Sequence, residues 1–160
     1  MFTAPLTDPA IAELIGEAKN IPDGLCIPVK AMSERNGHWR KGYEIECDSG
    51  NCFVVKIRLS SVNPMDFSAI LGYRLPGLYT IFRLRRYNGR HYHSNTLENE
   101  RFYDFHVHTA TERYQRPGFH EDTFAEKTNR FYNLESAIQC LVNECGFRSP
   151  LADSPLFKNV

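Results

Sequence analysis

The hydrophobic positions near the N-terminus repeat with the period of an α-helix. Four apolar residues follow one another at i, i+3, i+4 and i+7, and these are Ile11, Leu14, Ile15 and Ala18. Thr7 or Asp8 can accept hydrogen bonds from the amides of the first turn, and Pro9 suits the first helical position because it has no amide hydrogen. We therefore predict an N-terminal helix that ends within residues 20–24.

A second helical stripe lies near the C-terminus. Its apolar positions are Leu134, Ala137, Ile138, Leu141, Val142 and Cys145. Asn133 can cap the first turn, Gly146 supplies a left-handed stop, and Phe147 is placed to pack back on the helix. This pattern predicts a closing helix docked on a sheet.

Between the two helices the apolar residues alternate with polar ones, which is the period of a strand. The predicted strands cover residues 25–32, 43–47, 52–59, 78–86 and 101–109. Residues 48–51 form a hairpin turn, residues 67–73 fall in a loop, and the polar stretch around Asn88 and Gly89 joins the last two strands. The order predicts an α+β fold, an antiparallel β-sheet with the N-terminal and C-terminal helices packed on one face. A single domain would span residues 1–147, followed by a loosely ordered tail over residues 148–160.

Composition and charge narrow the class of protein. The chain has 160 residues, 42% of them hydrophobic, with 19 Lys and Arg balanced by 19 Asp and Glu, which is typical of one globular domain and not of a disordered or strongly nucleic-acid-binding chain. No signal peptide or membrane-spanning segment is recognisable. Five cysteines, an odd number without C-x-x-C spacing, indicate reduced thiols. We expect a cytoplasmic protein.

Histidines concentrate in one part of the chain. His91 and His93 precede the strand that carries Asp104, His106 and His108. Residues two apart on a strand share a face, so the last three should project together. If residues 78–86 pair antiparallel with this strand, Arg83 and Arg85 join the same polar face.

Such a face suits general acid–base cleavage of a phosphodiester. A neutral imidazole takes a proton from an RNA 2′-hydroxyl, a protonated imidazole gives one to the leaving oxygen, and a guanidinium stabilises the phosphate. The predicted catalytic residues are His93, His106, His108 and Arg83. The predicted substrate-binding residues are Arg85, Asn95, Asp104 and Tyr92. The leading hypothesis is thus a ribonuclease that needs no metal or other cofactor.

Two alternatives remain open beside an ordinary solvent-facing strand. In the first, His91, His93, His106 and His108 bind Zn or Fe, with Asp104 or Glu98 as an oxygen ligand. In the second, the protein is a non-catalytic module that binds another protein, such as a host or phage defence component. Its contact surface would consist of Tyr73, Tyr79, Tyr87, Tyr92 and Tyr114.

Residues 82–147 resemble a family of short bacterial and prophage proteins. The shared pattern is an arginine-bearing strand, an Asn-Gly turn, a His-x-Asn step, a His-x-His strand and a closing helix. The matching positions here are Arg83, Asn88 and Gly89, His93 and Asn95, and His106 and His108. The arrangement is also similar to TumE-type toxins of toxin–antitoxin pairs. The resemblance implies a defence or mobile-element protein that acts on RNA or nucleotides and is silenced by a protein partner.

Overall fold

The computed structural model describes residues 4–25 and 33–148. Three helices are present within these residues: α1 (Asp8–Gly16), α2 (Glu112–Gln115) and α3 (Leu134–Glu144). The strands are β1 (Lys19–Asn20), β2 (Ser33–Arg35), β3 (His38–Glu46), β4 (Cys52–Ser60), β5 (Phe67–Arg74), β6 (Ile81–Asn95), β7 (Glu100–Thr109), β8 (Ala125–Lys127) and β9 (Phe147–Arg148). The expected α+β fold is confirmed.

Seven strands form one antiparallel sheet in the order of the chain, from β2 to β8. The short strands β1 and β9 pair separately in parallel. Each neighbour in the large sheet is also the neighbour in sequence, so β6 and β7 lie side by side as a long hairpin. The histidine-bearing segments are therefore adjacent strands.

Helices α1 and α3 cover one face of the sheet, which we call the inner face. Apolar side chains of the strands and helices meet there in one core, which includes Ile11, Val55, Leu71, Leu84, Phe131 and Leu141. The predicted ends of α3 are confirmed, because Asn133 caps it together with Ser136 and Gly146 adopts a φ of 75°. The opposite, outer face of the sheet carries the histidines.

The first helix is shorter than its pattern predicts. It starts directly after its N-cap Thr7, as expected, but it ends at Gly16. Beyond that end Ala18 is exposed and Lys19 is buried. The Lys19 ammonium lies 2.8–3.0 Å from the carbonyl oxygens of Leu14, Ile15, Glu17 and Cys145. A cation at the carbonyl ends of two helices stabilises both of them and ends α1 here.

Two predicted loops are strands in the structure. Residues 67–73 belong to β5, a strand in the middle of the sheet, and Phe67 and Leu71 are fully buried in the core. Asn88 and Gly89 are not a turn but lie inside β6, which runs on to Asn95. The strand expected over residues 78–86 accordingly starts later, at Ile81, and is much longer.

The remaining predictions have mixed outcomes. The hairpin of residues 43–47 and 52–59 is confirmed as β3 and β4. The strand expected over residues 25–32 lies outside the described residues apart from Leu25, and so does the tail apart from Arg148, which pairs with Asn20 in the parallel ladder. Cys47, Cys52, Cys140 and Cys145 are free thiols. Within the described part of the chain, no helix has the length and apolar character needed to span a bilayer.

Candidate functional site

Two irregularities in β6 determine which of its side chains reach the outer face. The pairing register shifts once opposite Leu71 and Gly72 of β5, and again between Asn88 and His91. Each extra residue reverses the alternation of side chains that follows it. Consequently Arg83, Arg86, Asn88, His91, His93 and Asn95 share the outer face with Phe102, Asp104, His106 and His108 of β7.

Four imidazole rings meet on this face. The ring centroids of His93 and His108 are 4.8 Å apart, those of His106 and His108 are 4.9 Å apart, and those of His91 and His106 are 4.7 Å apart. One ring nitrogen from each of His93, His106 and His108 lies within 4.8 Å of the others. His91 lies beside this group but is not part of it.

The three grouped rings differ in burial. His106 and His108 are 0% and 3% exposed, whereas His93 is half-buried. His91 is also half-buried, so the cluster borders solvent along the β6 side. The predicted convergence of residues 93, 106 and 108 is present, but two of the rings are interior groups and not members of an open polar face.

Hydrogen bonds hold each ring in one orientation. His106 Nδ1 lies 2.7 Å from the carbonyl oxygen of Asp104, and His108 Nδ1 lies 2.7 Å from that of Asp122. A carbonyl oxygen only accepts, so both Nδ1 atoms carry the hydrogen and both Nε2 atoms keep a lone pair. Among the described residues His106 Nε2 is buried with no hydrogen-bond partner.

Asn95 fixes the third ring. Its amide nitrogen donates to the Ala125 carbonyl at 2.7 Å, and its Oδ1 accepts from the Ala125 amide at 2.9 Å. These two main-chain contacts define which end of the amide is oxygen. The same Oδ1 lies 2.7 Å from His93 Nε2, so that nitrogen is the donor and Nδ1 keeps its lone pair.

Burial also sets the charge of the rings. Removal from water lowers the pKa of His106 to about 4 and that of His108 to about 2, and it lowers the pKa of His91. The nearby Arg86 guanidinium lowers the pKa of His106 and His108 further. His106 and His108 are therefore neutral near pH 7.

The guanidinium beside the cluster belongs to Arg86, which was not among the predicted site residues. Arg86 lies directly opposite His108, and its Nε is 3.2 Å from the fully buried carboxylate of Asp122. Arg83 also contacts Asp122, at 3.1 Å, and lies 3.7 Å from Glu121. Arg83, which was expected to hold a phosphate, is thus already paired with acidic side chains.

Arg85 is on the wrong side of the sheet for its predicted role. The first irregularity in β6 turns it to the inner face, opposite Leu71 and near Thr109. There it lines a cavity of about 360 Å³ beside α1 together with Glu144. The prediction that Arg85 joins the polar face with Arg83 is wrong, because a strand irregularity cannot be read from alternation alone.

The other predicted site residues are dispersed. Asp104 is exposed, and the bond to His106 comes from its main-chain carbonyl. Tyr92 lies on the inner face, away from the imidazoles. Glu98 is in the turn that follows β6, where it accepts hydrogen bonds from Arg113 and Tyr114. Of the predicted substrate-binding residues, only Asn95 contacts the cluster through its side chain.

The predicted tyrosine contact surface is not present as one surface. Tyr73, Tyr87 and Tyr114 are buried, and only Tyr79 and Tyr92 are exposed. Tyr87 packs against Phe131 in the core, and the Tyr114 hydroxyl reaches the turn after β6. Their apolar rings are used for packing.

Comparison of the chain with protein families, with curated proteins and with solved structures finds no match.

Proposed function

We propose that the protein binds a divalent transition-metal ion such as Zn²⁺ through His93, His106 and His108. The observation that carries the proposal is that each ring has one nitrogen fixed to a protein oxygen, while ring nitrogens of all three approach within 4.8 Å of one another. Neutral imidazole with its second nitrogen donating to a carbonyl or amide oxygen is the usual form of a metal-binding histidine.

The remaining lone pairs define the donor set. They belong to Nδ1 of His93 and to Nε2 of His106 and His108. Three nitrogens around Zn²⁺ at about 2.0–2.1 Å from the ion lie roughly 3.4 Å apart, so the rings have to approach more closely than their present separation of up to 4.8 Å to bind it. The Nε2 of His106, which is buried with no hydrogen-bond partner among residues 4–25 and 33–148, would then be paired with the ion.

The proposed centre has the composition of a hydrolytic site. Three protein ligands would leave a fourth position for water, and a bound ion would lower the pKa of that water toward neutral. Asn95, Asp104 and Asp122 contribute the oxygen atoms that orient the rings. The half-buried edge at His91 and His93 provides the approach from solvent.

The metal-free ribonuclease of the sequence hypothesis has weaker support. General acid catalysis needs a protonated imidazole near neutral pH, and burial lowers the pKa of both His106 and His108. The His-x-Asn and His-x-His spacing supports the further proposals of an RNA substrate, a silencing protein partner and a defence or mobile-element role. A cytoplasmic location is a proposal that the odd number of cysteines supports. Incubation of total RNA with the metal-free and the Zn²⁺-loaded protein compares the two catalytic schemes.

Metal content tests the proposal. We expect the untagged protein, dialysed against Zn²⁺ and then desalted, to retain about one ion per chain, as a three-histidine site would. A hundredfold excess over the dissociation constant adds about 2.7 kcal/mol to the free energy of unfolding, which raises Tm by roughly 5 to 10 °C.

Single substitutions assign the ligands. His108→Ala should abolish both retention and the rise in Tm, whereas His120→Ala, which removes an exposed histidine outside the cluster, should change neither. Retention well below one ion per chain by the unsubstituted protein, or equal retention by both variants, would contradict the proposal.

A further inference from the structure

The inner face of the β6–β7 hairpin carries an exposed aromatic pair beyond the reach of the helices. Tyr92 and Tyr103 lie directly opposite each other on neighbouring strands, and they are 58% and 59% exposed. The nearest covered position on β7 is Phe105, whose ring packs on Phe67 and Phe131. The core thus covers Phe105 but does not extend to Tyr103, the next inward-facing residue of β7.

Two arginines border the tyrosine pair. Arg90 is exposed, and its Nε donates to the main-chain oxygen of Tyr103 at 3.3 Å. Arg101 is exposed as well and lies two residues from Tyr103, so it shares that face. The six positions of the hairpin on this side, residues 90, 92, 94, 101, 103 and 105, include both arginines and no acidic residue.

We infer that this surface, which we call the tyrosine platform (Arg90, Tyr92, Arg101 and Tyr103), binds single-stranded nucleic acid. Aromatic rings on an uncovered sheet stack on bases, and flanking guanidinium groups contact the phosphates. The positive charge of the platform complements a polyanion, which favours nucleic acid over an apolar protein partner. The platform faces away from the histidine cluster, so the inference does not depend on the metal proposal.

The character of the binding follows from the charge. Formal net charge is zero, so the whole molecule adds no general attraction for nucleic acid. Affinity must come from stacking at the platform and from two phosphate contacts. We therefore expect moderate, salt-dependent binding to single strands and weaker binding to a duplex, in which the base faces are already stacked.

Fluorescence anisotropy with a labelled oligouridine tests the inference on the full-length protein. The double variant Tyr92→Ala/Tyr103→Ala should weaken binding by tenfold or more, since removal of each base stack costs about 1–3 kcal/mol. Tyr79→Ala is the matched control, because it removes a tyrosine that is 98% exposed and lies before the start of β6, at the far end of that strand from Tyr92. Arg90→Gln/Arg101→Gln should reduce the salt dependence, by about 0.7 in the logarithmic slope for each phosphate that is no longer neutralised.

Three results would overturn the inference. The first is no binding by the unsubstituted protein at about 100 μM, the weak end of non-specific nucleic-acid affinity. The second is equal weakening by Tyr79→Ala and by the Tyr92/Tyr103 double variant. The third is self-association that the double variant abolishes while oligouridine binding is unchanged, which would assign the platform to protein contact.

Discussion

Lys19 and the histidine cluster are two buried sets of nitrogen atoms that differ in how completely the protein supplies their hydrogen-bond partners. The Lys19 ammonium is 1% exposed and lies within 3.0 Å of four carbonyl oxygens, with the Phe53 ring 4.4 Å away. In the cluster, one nitrogen per ring is hydrogen-bonded to a protein oxygen, and ring nitrogens of His93, His106 and His108 lie within 4.8 Å of one another. Complete satisfaction is what a structural group requires, whereas spare donor atoms at a buried site point to a ligand.

Lys19→Met should have the largest effect on stability. The substitution leaves the carbonyl ends of α1 and α3 without their cation, so we expect the free energy of unfolding to fall by about 3–5 kcal/mol. Urea denaturation measures this change. Lys56→Met, which alters an exposed lysine of β4, should stay within about 0.5 kcal/mol of the unsubstituted protein. Equal effects would remove the structural role from Lys19.

Gly89→Ala tests whether the bend in β6 builds the cluster. A Cβ at residue 89 would lie 1.9 Å from the main-chain oxygen of Met65, so the strand must shift just where it turns His91 and His93 outward. We expect the free energy of unfolding to fall by about 2 kcal/mol or more, together with weaker metal binding. Gly42→Ala is the control, because nothing lies within 4 Å of the added carbon. A stable variant that binds Zn²⁺ normally would show that the cluster does not need this backbone path.

Asn95→Ala should separate ring orientation from metal ligation. The substitution removes the oxygen that fixes His93 but leaves all three imidazoles in place. Removal of such a supporting hydrogen bond typically lowers metal affinity by about 10- to 100-fold, which calorimetric titration with Zn²⁺ measures. Ser94→Ala changes the neighbouring residue as a control. An unchanged affinity in Asn95→Ala would mean that Asn95 serves only to hold β8 through Ala125.

The smallest change in stability is expected for the metal-free His106→Leu variant. Leucine removes a buried nitrogen that has no partner in the described part of the chain, and this gain offsets the missing hydrogen bond to Asp104. We expect a free energy of unfolding within about 1 kcal/mol of the metal-free unsubstituted protein, measured in EDTA. A decrease as large as that of Lys19→Met would make His106 a structural residue and erase the contrast between the two groups.

The regular parts of the fold were predictable because their local signals agree. The cap at Asn133, the apolar stripe of α3 and the stop at Gly146 all specify the same helix. In β5, alternation was also present from Phe67 to Tyr73, but the nearby Asn-Pro and Pro-Gly pairs indicated a loop. Those pairs lie beyond the two ends of the strand. The burial of the apolar side chains between them is what makes the segment a strand of the sheet.

Two Asn-Gly pairs show why turns are harder to predict. Asn36 and Gly37 both have positive φ, at 52° and 78°, and they form the tight turn between β2 and β3 that the sequence prediction overlooked. Asn88 and Gly89 have the same letters but lie inside β6, where glycine is required by the close approach of Met65. The dipeptide alone does not say whether glycine provides a turn or space.

The site was predictable only in its histidines. Spacing of two along one strand was enough to expect His106 and His108 together, whereas the strand position of His93 follows from the continuation of β6 to Asn95. Arg86, and not Arg85, lies on the face of the histidines because the register of β6 is irregular. Asp122, which pairs with Arg86, comes from a loop that no local sequence pattern connects to β6. Such long-range groups follow from tertiary packing and leave little trace in the local sequence.

X-ray absorption at the zinc edge of the Zn²⁺-loaded protein measures the ligands most directly. The account predicts three imidazole nitrogens at about 2.0–2.1 Å and a light atom in the remaining position, whereas His106→Leu should retain no ion at this site. A spectrum dominated by sulfur at about 2.3 Å, or one that His106→Leu leaves unchanged, would contradict a metal centre at the histidine cluster.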